Sequence, residues 1–250
     1  MLVLTMGGIS SRFKNAGYNV PKYLLKFGEN LILTEIVKSY KRYIDNYGII
    51  IIHNSSEVSS DLIDEVLAKC NINKYNYDVL SLDCLTAGQA QTARLGVQHF
   101  VVTGPISIVN ADTLVKNWYG NYVEQSSYVD GVIDVTNWEG ENWSFVVTDK
   151  QDTVIAIEEK HRISDLTCTG TYHFSSACDF VDVQKFIERD NLKGKDQTEF
   201  YVSRVYGQML KSGAIFKSRF IDQSNIYLFG TPDEYKQTCN SNGYRYELPY

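Results

Sequence analysis

Four isoleucines in a row, Ile49 to Ile52 within the run Gly-Ile-Ile-Ile-Ile-His, constrain this fold more than any other stretch. Successive side chains of a strand point to opposite faces, so a run that is apolar at every position needs cover on both sides. Interior strands of parallel sheets have that need, because crossover helices supply the cover. Similar runs are Leu-Val-Leu-Thr (2–5), Tyr-Asp-Val-Leu-Ser-Leu (77–82) and Ile-Ser-Ile-Val-Asn (106–110). Helix-like segments lie between them, over about 31–46, 58–70 and 89–100. Ser59 or Ser60, ahead of Asp61, supplies an N-cap for the second. The alternation predicts βαβ units and a doubly wound core reaching to about residue 125.

The second half changes character. Strand-like runs at 128–136, 143–149, 153–159 and 167–174 follow one another, with short turns such as Asp149–Asp152. They read as antiparallel or mixed strands. Helices are expected at about 179–190 and 199–212, a strand at 214–221, and a last helix opening at Pro232, a favoured first-turn position. No internal repeat or low-complexity linker divides the chain. The expectation is one α/β domain over residues 1–250, with a parallel half (1–125) and a mixed half (126–250) packed on it.

Composition narrows the function. A net charge of −6 with no basic block argues against a nucleic-acid partner. An acidic chain that handles an anionic substrate must therefore concentrate its positive charge locally. Five cysteines (70, 84, 168, 178, 239) without C-x-x-C spacing fit a reducing cytosol better than disulfides or zinc. No signal-peptide pattern is present, and no apolar run approaches the ~20 residues of a membrane span. A cytoplasmic protein with no membrane partner is expected. The four histidines (53, 99, 161, 173) form no H-E-x-x-H, and neither G-x-S-x-G nor G-x-x-x-x-G-K-[ST] occurs. Oligomeric state is not legible, and a homo-oligomer stays open.

Met6-Gly7-Gly8-Ile9-Ser10-Ser11-Arg12 closes the first strand, and Pro21-Lys22 follows. In open parallel sheets, ligands bind beyond the carboxyl ends of strands. Glycines expose successive N–H groups to phosphate oxygens, Arg12 can fork onto a phosphate, and Lys22 adds a point charge. Two further stretches stand at comparable positions: Thr86-Ala87-Gly88-Gln89-Ala90-Gln91-Thr92, and Asn110-Ala111-Asp112 at the end of an apolar run.

Together these stretches resemble the sugar-phosphate nucleotidyltransferases, in the branch found in surface and capsular polysaccharide gene clusters. The family opens on G-x-G-[ST]-R-[FL] and Pro-Lys-Pro-Leu; here Gly8, Ser11, Arg12, Pro21, Lys22 and Leu24 match, while Ser10 and Tyr23 depart from it. Thr86 to Thr92 resembles its T-x-G-x-A-x-T segment, and Asn110-Ala111-Asp112 its metal-binding N-x-D. Trp143-Ser144-Phe145-Val146, Glu159-Lys160, Ile163-Ser164-Asp165, Gly170-Thr171-Tyr172-His173-Phe174, Glu199-Phe200-Tyr201-Val202 and Gly230-Thr231-Pro232 continue the likeness.

The resemblance implies a Rossmann-like, GT-A-like domain with a nucleotide-binding first half and an acceptor-binding second half. It implies Mg2+-dependent attack by an acceptor phosphate on the α-phosphorus of an NTP, with CTP or UTP preferred. The acceptor would be a sugar 1-phosphate or another small phosphorylated compound. Arg12, Lys22 and Lys160 would be the catalytic cations, with Lys160 also steadying the acceptor's phosphate. Met6 to Ser11, Thr86, Ala87, Gly88, Gln89 and Asn110 would bind nucleotide, with Gln89 or Gln91 reading the base edge. Asp112 would hold the metal, and Tyr172 and Glu199 would line the acceptor pocket.

Plainer readings exist for several of these residues. Asp112 could cap a helix beginning near Leu114, Glu199 could cap the helix that follows it, and Glu158 to Arg162 could be a charged turn. Many relatives carry a second metal-binding Asp where Leu228 stands, which leaves the second ligand open, Asp222 being one candidate. The competing functions are a GT-A glycosyltransferase, which would normally want a D-x-D pair, and a non-catalytic nucleotide-sensing homologue.

Overall fold

The computed structural model describes residues 1–118, 128–191 and 199–248. The expected boundary between the halves, at 125/126, lies outside them. In chain order the elements are β1 (Leu2–Met6), α1 (Ser11–Asn15), β2 (Lys26–Phe27), β3 (Asn30–Leu31), α2 (Ile32–Ser39), α3 (Lys41–Tyr47), β4 (Ile49–Asn54), α4 (Ser60–Lys69), β5 (Tyr77–Leu82), α5 (Gln89–His99), β6 (Ile106–Asn110) and β7 (Thr113–Val115). Then come β8 (Gly131–Thr136), β9 (Ser144–Thr148), β10 (Val154–Glu159), β11 (Leu166–Phe174), α6 (Ala177–Asn191), α7 (Val202–Lys211), β12 (Phe216–Phe220), β13 (Ile226–Leu228) and α8 (Pro232–Ser241).

One sheet runs β10-β9-β11-β6-β1-β4-β5, with β8 pairing β11 and β12. β1 is parallel to both β4 and β6, and β4 is parallel to β5. β11 lies antiparallel to β6, β8 and β9, and β10 is antiparallel to β9. The sheet is thus parallel through the first half and mixed through the second.

The isoleucine run behaves as its pattern requires. Ile49 and Ile51 join the core on one face, and Ile50 and Ile52 the core on the other. In β1, Leu2, Leu4 and Met6 face the first core and Val3 the second. Residues of α2, α3, α4 and α8 complete the first core, and residues of α5, α6 and α7 the second. Burying each such side chain stabilises the fold by roughly 1.5–3 kcal/mol, which offsets the entropy of ordering the crossovers.

Several local features differ from expectation. The helix expected over 31–46 breaks at Tyr40, which leaves helical geometry (φ −96°, ψ 1°) while its ring is buried and its hydroxyl sits 3.1 Å from Thr171 Oγ1. The strand expected from 128 begins at Gly131. Ser59 caps α4 by accepting from the Leu62 N–H at 3.3 Å. The five cysteines are free, with Cys70, Cys168 and Cys239 buried. Among the described residues, no helix is long and apolar enough to cross a membrane.

The sheet order fixes where a ligand can bind. From β1 the chain winds outward through β4 to β5, then returns to lay β6 on the other side of β1. Loops leaving β1 and β6 therefore diverge, and a crevice opens between them at the carboxyl ends of the strands.

Candidate active site

A crevice of about 1610 Å³ opens there. Most residues singled out from the sequence as site candidates line it: Met6 to Arg12, Lys22, Thr86 to Gln89, Asn110, Asp112, Lys160, Tyr172 and Glu199. Gln91 does not; its Oε1 accepts the Ala87 N–H at 2.7 Å and braces the loop.

The loop after β1 turns at Ser10, which stands in the left-handed region (φ 48°, ψ 37°). That conformation suits glycine and strains a residue with a Cβ. Ser10 Oγ accepts the Lys22 N–H at 3.3 Å, so the hydroxyl ties this loop to the Pro-Lys segment. Pro21 is extended (ψ 146°), and Lys22 opens a short 3-10 turn to Leu24. Lys22 Nζ then lies 2.5 Å from Asp112 Oδ2, each side chain about a fifth exposed.

Asp112 follows β6 by two residues. The helix that it could have capped is absent; the chain continues as β7, which pairs antiparallel with β13. The Phe229 N–H donates to the Asp112 carbonyl at 2.8 Å, and Leu228 pairs with Thr113, so Leu228 flanks the acidic residue. Asp222 is not part of the crevice: its carboxylate caps Gln223–Asn225 by accepting the Ser224 N–H at 2.8 Å. A second carboxylate does approach. Glu234 accepts the Thr231 N–H at 2.8 Å in a capping box that starts α8. Its Oε2 and Asp112 Oδ2 lie 3.0 and 3.5 Å from where a side chain on Gly230 would begin.

The loop from Thr86 to Thr92 is held by close packing. Gly88 has φ +141°, and a Cβ there would lie 2.6 Å from both the N and O of Phe200. The Phe200 N–H donates to the Ala87 carbonyl at 2.7 Å, and the Ala90 N–H to the Phe200 carbonyl at 3.0 Å. Thr86 and Thr92 hydroxyls meet at 2.6 Å. Gln89 lines the crevice and opens α5, and its Nε2 has no partner among the described residues.

The second half closes the other end. β11 carries a bulge against β8 between Cys168 and Tyr172. Within it, Gly170 (φ 92°) lies against the Asn110 amide, which leaves no room for a side chain. Tyr172 is buried, and that burial pushes its phenol well above its ordinary pKa, keeping it neutral. Glu159 accepts from the hydroxyls of Ser144 and, at 2.8 Å, Ser203. Lys160 donates to the Tyr201 hydroxyl, which donates to Glu199. Glu199 does not cap α7, whose N-cap is Tyr201 and has no side-chain cap bond. Trp143 also lines the crevice, with its ring 4.4 Å from that of Trp138. Glu159, Tyr201, Trp143 and Glu234 carried no site assignment from the sequence. Trp143, Glu159 and Tyr201 stood inside stretches that carry the family likeness, which was the one signal that could have found them.

Around Asp112 the carboxylates that approach one another, Asp112 and Glu234, offer hard oxygen donors. Among the described residues, no group of three or more Asp, Glu, His or Cys is placed to hold an ion. Asp112, with Glu234 behind it, fits an ion that keeps most of its waters and arrives with phosphate oxygens, as magnesium does.

No protein-family model matches the chain, and no curated protein does. Solved structures do. A nucleoside-diphosphate-sugar pyrophosphorylase from Vibrio cholerae RC9 superposes with a TM-score of 0.88 at 27% identity, covering 96% of this chain and 100% of that one. An inositol-1-phosphate CTP transferase from T. maritima has a TM-score of 0.70 at 15% identity over 93% of this chain and 90% of that one. A UDP-glucose pyrophosphorylase from Acinetobacter baumannii has a TM-score of 0.70 at 17% identity over 97% and 92%. The last two speak to the fold alone.

Proposed function

This chain is a nucleotidyltransferase of the sugar-phosphate family, and from that premise we propose that it joins a small phosphorylated acceptor to a pyrimidine nucleoside triphosphate, CTP or UTP. An oxygen of the acceptor's phosphate attacks the α-phosphorus, the bond to the bridging β-phosphate oxygen breaks, and pyrophosphate leaves. The product is a nucleoside diphosphate-linked acceptor for surface polysaccharide assembly in the cytoplasm. The attacking oxygen is already anionic, so the protein's work is positioning and charge stabilisation.

What supports the reading most is the Lys22–Asp112 pair, which puts a cation and a hard anionic ligand side by side in the crevice that the Gly7 to Ser11 loop lines. The loop from Gly7 to Ser11 cradles the triphosphate, with Arg12 on the leaving phosphates and Lys22 at the α-phosphate. Asp112, assisted by Glu234, would hold magnesium, which when bound neutralises phosphate charge and fixes the oxygens for in-line displacement. Gly88 brings the backbone close to the base, and Gln89 offers its unpartnered amide to the base edge. Lys160 receives the acceptor's phosphate, while Tyr172 and Glu199 bound the pocket beyond it.

The test is pyrophosphate release from CTP, UTP, ATP and GTP in turn, each with a panel of sugar 1-phosphates, polyol phosphates and other small phosphate esters. The proposal expects release that requires acceptor and Mg2+, with a pyrimidine NTP preferred. Nucleotide binding without release for every pair would contradict it and favour a sensing role.

A further inference from the structure

At the second-half end of the crevice, Lys160, Tyr201 and Glu199 form a chain of hydrogen bonds. The Lys160 ammonium donates to the Tyr201 hydroxyl, and that hydroxyl donates to Glu199 Oε2. All three side chains line the crevice. The ammonium also lies 4.5 Å from the centre of the Tyr201 ring. Lys160 is fixed from behind as well: it stands in the left-handed region (φ 55°), and its N–H donates to the Trp143 carbonyl at 2.8 Å. A strained backbone persists only where its surroundings hold it.

The charges around this chain are mixed. The bond to Tyr201, with Glu159 and Glu199 nearby, raises the proton affinity of Lys160 against the opposing effect of partial burial. The Arg204 guanidinium lies 5.9 Å from the same tyrosine ring. An ammonium carries three N–H donors. Tyr201 takes one, which leaves two for an oxyanion. The tyrosine hydroxyl spends its one proton on Glu199, so that carboxylate keeps lone pairs for another donor. A single hydroxyl thereby touches both groups that frame this end of the crevice.

We propose that Tyr201 is the positioning residue of the acceptor end: its hydroxyl sets the Lys160 ammonium and the Glu199 carboxylate at a fixed separation, so that one acceptor is held at its phosphate by Lys160 and at a hydroxyl or amine by Glu199. The inference rests on the nucleotidyl-transfer reading above. It selects acceptors in which phosphate and donor group are spaced to match, and it disfavours phosphate esters that lack a second polar group.

Tyr201→Phe keeps the ring and removes only the hydroxyl. With the NTP and acceptor that the wild-type enzyme turns over, the acceptor KM should rise about tenfold and the NTP KM should stay within about twofold. Unchanged acceptor KM, or equal rises in both, would overturn the proposal, since a general structural defect moves both. A second measurement keeps the two readings apart. In protein carrying 15N-labelled lysine, inorganic phosphate should shift the Lys160 ammonium signal, and the variant should need about tenfold more phosphate for the same shift. If the wild type turns over no pair, nucleotidyl transfer has failed and this signal still decides the positioning. No phosphate-dependent shift in the wild type, or the same midpoint in both proteins, overturns it.

Discussion

The Lys22 ammonium and the Asp112 carboxylate, 90 positions apart in the chain, meet at 2.5 Å at the carboxyl end of the β1–β6 pair. Each is the other's ion-pair partner in the crevice. Under the proposed function, a metal ion held by Asp112 would compete with the ammonium, and an α-phosphate would offer the ammonium a new anion. Loading the triphosphate would then be an exchange of partners rather than an addition of charge.

Asp112→Asn should reduce turnover by at least 10²–10³-fold, the scale for losing one charged group at a phosphoryl centre. The pair is partly solvated, where ion pairs contribute only about 0–1 kcal/mol, so the melting temperature should change little. Pyrophosphate release and a thermal melt measured on one preparation check both. Activity near the wild-type level would remove Asp112 from the site.

Lys22→Ala should lower kcat by ~10²-fold or more with a smaller effect on NTP affinity. Lys22→Arg should not restore it, because a planar fork cannot replace a compact point charge held beside a carboxylate. Steady-state kinetics of the two variants decide the point; a fully active Arg variant would contradict the assigned role.

Gly88→Ala should raise the nucleotide Kd by ~10-fold or more and lower the melting temperature. The backbone there (φ +141°) disfavours any side chain, and the added methyl would meet the Phe200 backbone at 2.6 Å. Titration of nucleotide binding by intrinsic fluorescence reads the first effect, and a melt the second. Wild-type affinity in a folded Gly88→Ala protein would show that the loop does not approach the base.

His173, on β11, is buried with Nδ1 3.0 Å from Ser107 Oγ, and burial lowers its pKa to about 3. The unfolded chain protonates this histidine below about pH 6.5, while the folded protein does not until far lower. The stability it contributes is therefore present above about pH 6.5 and lost as pH falls toward 3, at up to ~1.4 kcal/mol per pH unit. Denaturant unfolding at pH 7.5, 6, 5 and 4.5 should show a steeper loss in the wild type than in His173→Asn. Parallel curves would contradict the assignment.

How much of this was legible beforehand follows from what each signal depends on. The parallel half was readable because Ile49 to Ile52 and Leu2 to Thr5 are apolar at every position, a pattern set by burial on both faces. The break at Tyr40 was not, because the apolar periodicity continues across it and a contact with Thr171, on β11, helps decide the geometry. The three-residue pair of β7 and β13 was equally hidden: its partners are distant in sequence and too short to show a period. That pair places Leu228 beside Asp112 and brings Glu234 back toward it through Gly230. The site candidates stood in ordered motifs and so could be named early. Tyr201 stood in such a motif without a role, and Glu234 was given none, since the contact of Tyr201 with Lys160 and the approach of Glu234 to Asp112 exist only in the folded chain.

The most direct measurement is a crystal structure of the protein with Mg2+ and CTP or UTP. The account predicts the triphosphate along the Gly7 to Arg12 loop, Lys22 turned from Asp112 to the α-phosphate, and the ion on Asp112. A triphosphate bound elsewhere, with Lys22 and Asp112 still paired, would contradict it.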